Sequence, residues 1–173
     1  MPMLPIVTGR WQPWVDFDAI IAIRRRETDE FYDQLQPHVL TNDDRLIQRQ
    51  AFAGMIWSKK FYHWGVDMWL RGDPAYPSPP SHRGNNGNAE WRHFYADAVV
   101  SLPAPWEYPW PACWDLCLHT PALCLFDPEW TKRQLLLFTR EWMMHPNGCL
   151  PAYEYNLGDT NPPVHAYASL RVY

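Results

Sequence analysis

The stretch Trp106-Glu-Tyr-Pro-Trp-Pro-Ala-Cys-Trp-Asp-Leu-Cys-Leu-His119 decides how this chain is read. Its first half carries Pro109 and Pro111, and the residue before a proline is pushed toward extended geometry. From Pro111 or Ala112 a helix is expected to run to Phe126, with Asp115 and His119 four apart on one face. The stretch sets three tryptophans and a tyrosine around two carboxylates, Glu107 and Asp115. Aromatic rings have flat apolar faces and polar edges. A carboxylate among them is partly desolvated, which raises its pKa. A carboxyl group that keeps its proton near neutral pH is what general-acid catalysis requires. Flat rings beside such an acid suit sugars, whose C–H faces stack on them.

Upstream, residues 1–15 are rich in Pro and Trp and read as irregular. Phe17, Ile20, Ile21, Ile23, Phe31 and Leu35 follow helical spacing, which predicts a helix over 16–36 that Pro37 ends. Thr41-Asn-Asp-Asp44 resembles a capping box with aspartate in the usual Glu position. It predicts a long helix to about Leu70, with Leu46, Ile47, Gln50, Ala53, Trp57, Phe61 and Trp64 on one broad face. Residues 71–92 hold four prolines and the run Gly84-Asn-Asn-Gly87, so they read as a long loop, either a lid or plain surface. Val99 to Leu102 reads as a short extended piece.

Downstream, Asp127-Pro128 opens a helix with an aspartate cap and a proline in the first turn. That helix is expected to carry Leu135, Leu136, Thr139, Trp142 and Met143 and to stop at His145-Pro-Asn-Gly148. Leu150 to Thr160 reads as loop. Asn161-Pro162 repeats the cap-then-proline signal for a last helix, which meets no capping or breaking signal before Tyr173. Long helices joined by loops predict an all-α chain of helical hairpins set in a ring.

Composition narrows the function classes. The chain has 173 residues, 47% of them hydrophobic, which suffices for one core. Eleven tryptophans and 16% aromatic residues are unusually many. The formal charge is −4, and the Arg24-Arg25-Arg26 run is answered by Glu27, Asp29 and Glu30, so no nucleic-acid surface is indicated. No apolar run reaches the ~18 residues of a membrane span, and no secretory leader is apparent. Cys113, Cys117 and Cys124 share one helical stripe without zinc-site spacing, which fits small core residues in a reducing, cytoplasmic setting. No metal cluster, phosphate loop or dinucleotide fingerprint is present, so no cofactor is expected.

Several runs carry a family resemblance. WEYPWPACWDLCLH resembles the catalytic-acid segment of bacterial members of glycoside hydrolase family 63, the processing α-glucosidase-like and mannosylglycerate hydrolase-like enzymes. RQAFAGMIWSKKFYHW from Arg49, REWMMHPNGCLPAYEYN from Arg140 and NPPVHAYASLRVY from Asn161 are similar to the same group, in the same order. The likeness covers residues 16–173. It departs at Ser101 to Pro105, where the family usually has Ser-Met-Pro-Asp-Lys, and slightly at Gly158 to Thr160.

The resemblance implies a partial (α/α)6 barrel of about five helices, the N-terminal portion of a catalytic domain truncated at its C-terminus. It implies an inverting α-glycosidase acting on a small oligosaccharide or glycoside, with Asp115 as general acid. The general base would be a glutamate beyond Tyr173, which would leave these residues alone without turnover. Trp57, Trp106, Trp110, Trp114, His119, Tyr153 and His165 are the candidates for shaping a sugar subsite. Glu107, Glu154 and Asp159 are candidates for binding sugar hydroxyls. Bland readings stand beside these: Asp115 as a helix cap, the aromatic stripes and histidines as core, and the loop carboxylates as local hydrogen-bond acceptors. A helical module that binds carbohydrate or a partner without catalysis is the alternative function. A trehalase-like or glucoamylase-like enzyme differs only in substrate.

Overall fold

A computed structural model of the chain describes residues 14–36, 41–85, 87–102, 104–153, 156 and 159–173. The described residues form six α-helices and one two-stranded antiparallel sheet. The chain is therefore mixed α and β, not all-α, and no barrel closes among the described residues. The backbone divides into two compact units, Met1–Arg45 and Leu46–Tyr173.

The first unit holds α1 (Phe17–Leu35) and the start of α2 (Asn42–Trp57). α1 has the expected bounds, and Pro37 lies outside the described residues. Two arginines of its run pair along the helix, Arg24 at 2.7 Å from Glu27 and Arg26 at 3.8 Å from Glu30. The capping box at α2 is reciprocal. The Asp44 N–H donates to Thr41 Oγ1 at 3.1 Å, and the Thr41 N–H donates to Asp44 Oδ2 at 3.2 Å. Aspartate thus does the work of the usual glutamate despite its shorter reach.

The second unit corrects the expected long helix. α2 ends at Trp57, β1 covers Lys59–Gly65, and a short α3 covers Val66–Arg71. β1 pairs with β2 (Tyr95–Ser101), with Phe61 opposite Val99 and Trp64 opposite Ala96. The turn at Ser58 closes the helix, its N–H donating to Gly54 O and Met55 O. Beyond it the sequence Lys-Lys-Phe-Tyr-His-Trp-Gly alternates. Tyr62 and Trp64 turn toward the core, while Phe61 and His63 face outward. Aromatic residues favour the pleated surface of a strand. A helical period sets Phe61 and Trp64 on one face, whereas the strand sends Trp64 to the core and leaves Phe61 exposed, so the helical reading fails here. The short extended piece expected at 99–102 proves to be the end of β2.

The remaining helices are α4 (Cys113–Leu123), α5 (Pro128–Phe138) and α6 (Val164–Val172). α5 begins as expected, with Asp127 accepting from the Trp130 N–H, but it stops five residues short of Met143. The segment after it turns back, and the Tyr95 N–H donates to Trp142 O at 2.8 Å. With the Gln134 side chain donating to Val99 O, this covers the edge of β2 away from β1. The long loop folds into two 3-10 turns, Ser81–Asn85 and Gly87–Trp91, and Trp91 is buried. The core joins Val66, Trp91, Phe94, Trp110, Leu116, Cys117, Phe138 and Met143.

Candidate functional site

The N-terminus of α4 is built by the residues that follow α5. The Cys113 N–H donates to Pro151 O at 2.8 Å, and the Trp114 N–H donates to Asn161 Oδ1 at 3.1 Å. Asn161 also donates from Nδ2 to Leu150 O at 2.6 Å. The expected cap of α6 therefore serves α4 instead. The N-cap position of α6 falls to Pro163, which offers no side-chain acceptor. The Trp114 indole N–H donates to Ala152 O at 3.2 Å, and its ring lies 6.0 Å from Tyr153. Trp114 and Tyr153 are thus brought together beside the first turn of α4.

Asp115 lies in that first turn and is half-buried. Burial raises its carboxyl pKa above the usual 3.8, and its own backbone N–H opposes the rise. No side chain among the described residues pairs with it. One turn on, His119 is half-buried, and burial lowers its pKa from the usual 6.5. Its Nδ1 lies 3.0 Å from Ser101 Oγ, which lies 2.9 Å from Ser58 Oγ.

The other candidates scatter. Trp110 is 2% exposed and belongs to the core, between Tyr62, Trp64 and the stacked ring of Phe94. Its ring is enclosed by these neighbours, so among the described residues it packs as core rather than as an open ring face. Trp57 and Trp106 are 75% and 82% exposed. Glu107 is exposed and Asp159 half-buried, while Glu154 lies outside the described residues. His165 donates from Nε2 to Leu135 O at 3.0 Å, so this nitrogen is spent on the fold. It lines a cleft of about 330 Å³ with Cys113, Cys149 and Asn161. A second cleft, of about 260 Å³, lies along β2 between Tyr95, Asp97 and Trp142. Asp115 lines neither.

All four cysteines are free. The Cys113 and Cys117 sulfurs are 3.8 Å apart and buried, and this contact and burial push the Cys113 thiol far up, so it is no nucleophile. Among the described residues no three His, Cys, Asp or Glu side chains converge to hold a metal ion. Ser58 and Ser101 are the site residues that sequence reading missed. They stand 43 residues apart and meet only through the pairing of β1 with β2.

No protein-family model matches the sequence. No solved structure matches it. The chain is similar to the uncharacterized protein YMR196W of Saccharomyces cerevisiae, 48% identical over 159 residues. The match covers 91% of this chain but 15% of the yeast protein, so the chain spans about one seventh of that relative's length.

Proposed function

We propose that the chain is part of an inverting α-glycosidase resembling glycoside hydrolase family 63, with Asp115 as general acid toward a small α-glucoside or α-mannoside. One observation carries the reading: burial at the start of α4 raises the Asp115 pKa, with the preceding Trp114 ring set against Tyr153. An inverting pair needs a second carboxylate ~6.5–9.5 Å away, holding a water on the opposite face of the sugar. The reading assigns that base to a glutamate outside these residues, as the resemblance implies. Trp114 and Tyr153 supply ring faces, and Glu107 and Asp159 accept from sugar hydroxyls. A cytoplasmic setting is supported by the free cysteines. Among the described residues no helix is long and apolar enough to cross a membrane.

The test is turnover of α-linked gluco- and manno-disaccharides by the full-length polypeptide that carries this sequence, with and without Asp115→Asn. Loss of a proton donor is expected to lower kcat by ~10²–10⁴-fold. Unchanged kcat in a folded variant refutes the acid role.

A second reading, a carbohydrate-binding or interaction module without catalysis, is favoured by the open faces of Trp57 and Trp106. Substitution of either ring would then abolish sugar binding, while Asp115→Asn would leave it intact.

A further inference from the structure

The polar chain behind His119 fixes where its proton sits. The Ser58 hydroxyl lies 2.6 Å from Met55 O, and a carbonyl only accepts, so the Ser58 proton points there. Ser58 Oγ then serves Ser101 as acceptor across their 2.9 Å contact. The Ser101 proton is thereby used, and its oxygen accepts from His119 Nδ1 at 3.0 Å. In the neutral ring the proton is therefore on Nδ1, and Nε2 carries a lone pair. Ser58 and Ser101 are 6% and 2% exposed, so water does not compete for these bonds. Nε2 itself has no hydrogen-bond partner among the described residues, and the ring is half-buried. Asp115 stands four residues before it, about 6 Å along the same face of α4.

We propose that Ser58 and Ser101 lock His119 as the Nδ1–H tautomer, so that its Nε2 accepts a hydrogen bond from a sugar hydroxyl held beside Asp115. The inference rests on the sugar-site reading above. It adds a fixed acceptor one turn from the acid, where a freely flipping imidazole would offer donor and acceptor alternately. A neutral acceptor also suits the site, because an imidazolium there would hold Asp115 ionised. His119 binds and orients; Ser101 and Ser58 are positioning residues.

The test is long-range ¹H–¹⁵N correlation of ¹⁵N-histidine, with carboxyl ¹³C spectra of ¹³C-aspartate alongside, in the 173-residue chain, titrated with methyl α-glucoside and methyl α-mannoside. Pyrrole-type Nδ1 and pyridine-type Nε2 are expected above the His119 pKa. Ser101→Ala is expected to return the ring toward the Nε2–H form that free imidazole prefers. One of the two sugars should move the Nε2 resonance, and Ser101→Ala should weaken its binding about fivefold, the loss of one modest hydrogen bond. A wild-type ring found as Nε2–H overturns the relay whatever the variant does. If a sugar moves the Asp115 carboxyl resonance and leaves Nε2 unmoved, the acceptor role fails while the sugar site stands. If neither resonance moves, both fail together.

Discussion

Asp115 holds the most consequential titration in the chain. Burial penalises its charged form in the folded state alone, which is why its pKa lies above 3.8. Between 3.8 and the raised value the folded chain keeps a proton that the unfolded chain has released. The stability contributed by this group is therefore lost as pH rises through that window, the reverse of a salt-bridged aspartate. Asp115→Asn removes the ionisation. Its melting temperature relative to wild type should climb with pH and level off above the folded pKa. Thermal melts from about pH 3 to about pH 8 read this directly, and a flat difference means the carboxyl is not desolvated. His119 shifts the other way, so it adds stability that is lost as pH falls below 6.5. Trp110 sets a second test. Its ring is enclosed, yet its indole N–H has no acceptor among the described residues. Trp110→Ala should cost about 3–5 kcal/mol in chemical denaturation. Trp110→Phe should cost much less, because it also removes an unpaired buried donor. The direction of the Asp115 shift is the one its aromatic sequence neighbourhood leads one to expect. The fates of Trp106, Trp110 and Trp114 were not legible. Their four-residue spacing suggests a shared face, but two prolines break the run, and such spacing aligns side chains only on a helix.

At the scale of elements, Asp127 ties the sheet to the helices. Its carboxylate caps α5 through the Trp130 N–H at 3.3 Å and pairs with Lys59 of β1 at 2.6 Å. The Lys59 ammonium also lies 4.2 Å from the centre of the Trp130 ring. Asp127→Ala removes both the cap and the ion pair and should cost about 1–2 kcal/mol. Asp127→Asn keeps a capping oxygen and loses only the charge, so less than half of that cost is expected. Equal losses in the two variants, measured by urea denaturation, would place the stabilisation in the ion pair. The cap itself was readable, because Asp-Pro before an apolar period is a local signal. So was the Thr41 box. Asn161-Pro162 carries the same local signal, yet the Asn161 side chain turns to the N-terminus of α4, where Trp114 N–H lacked an acceptor. β1 was not readable either. Its identity depends on a partner strand 38 residues away at Phe61↔Val99 in register, and on Trp110 filling the space beneath Tyr62 and Trp64. Tertiary pairing outweighs local period in this short segment.

Across the second unit, one surface property separates the two functional readings. Trp57, Phe61, Trp106, Leu118, Leu125 and Leu170 are each more than half exposed, although the same unit buries Trp91, Phe94, Trp110 and Phe138. Large apolar groups left in water mark contacts with other protein or with ligand. The glycosidase reading assigns them to further polypeptide, in keeping with a yeast relative of which the matched stretch is 15%. The module reading assigns the tryptophans among them to sugar. The isolated chain is therefore expected to bind a hydrophobic dye and to self-associate as its concentration rises in sedimentation velocity. Maltose and α-linked mannobiose are expected to change neither behaviour, and acrylamide is expected to quench Trp57 and Trp106 equally with and without sugar. Aliphatic positions such as Leu118, Leu125 and Leu170 have no ring to stack on a pyranose, so sugar cannot cover them. Suppression of dye binding and protection of both tryptophans by either disaccharide would reverse the preference and make these rings the working surface of a binding module.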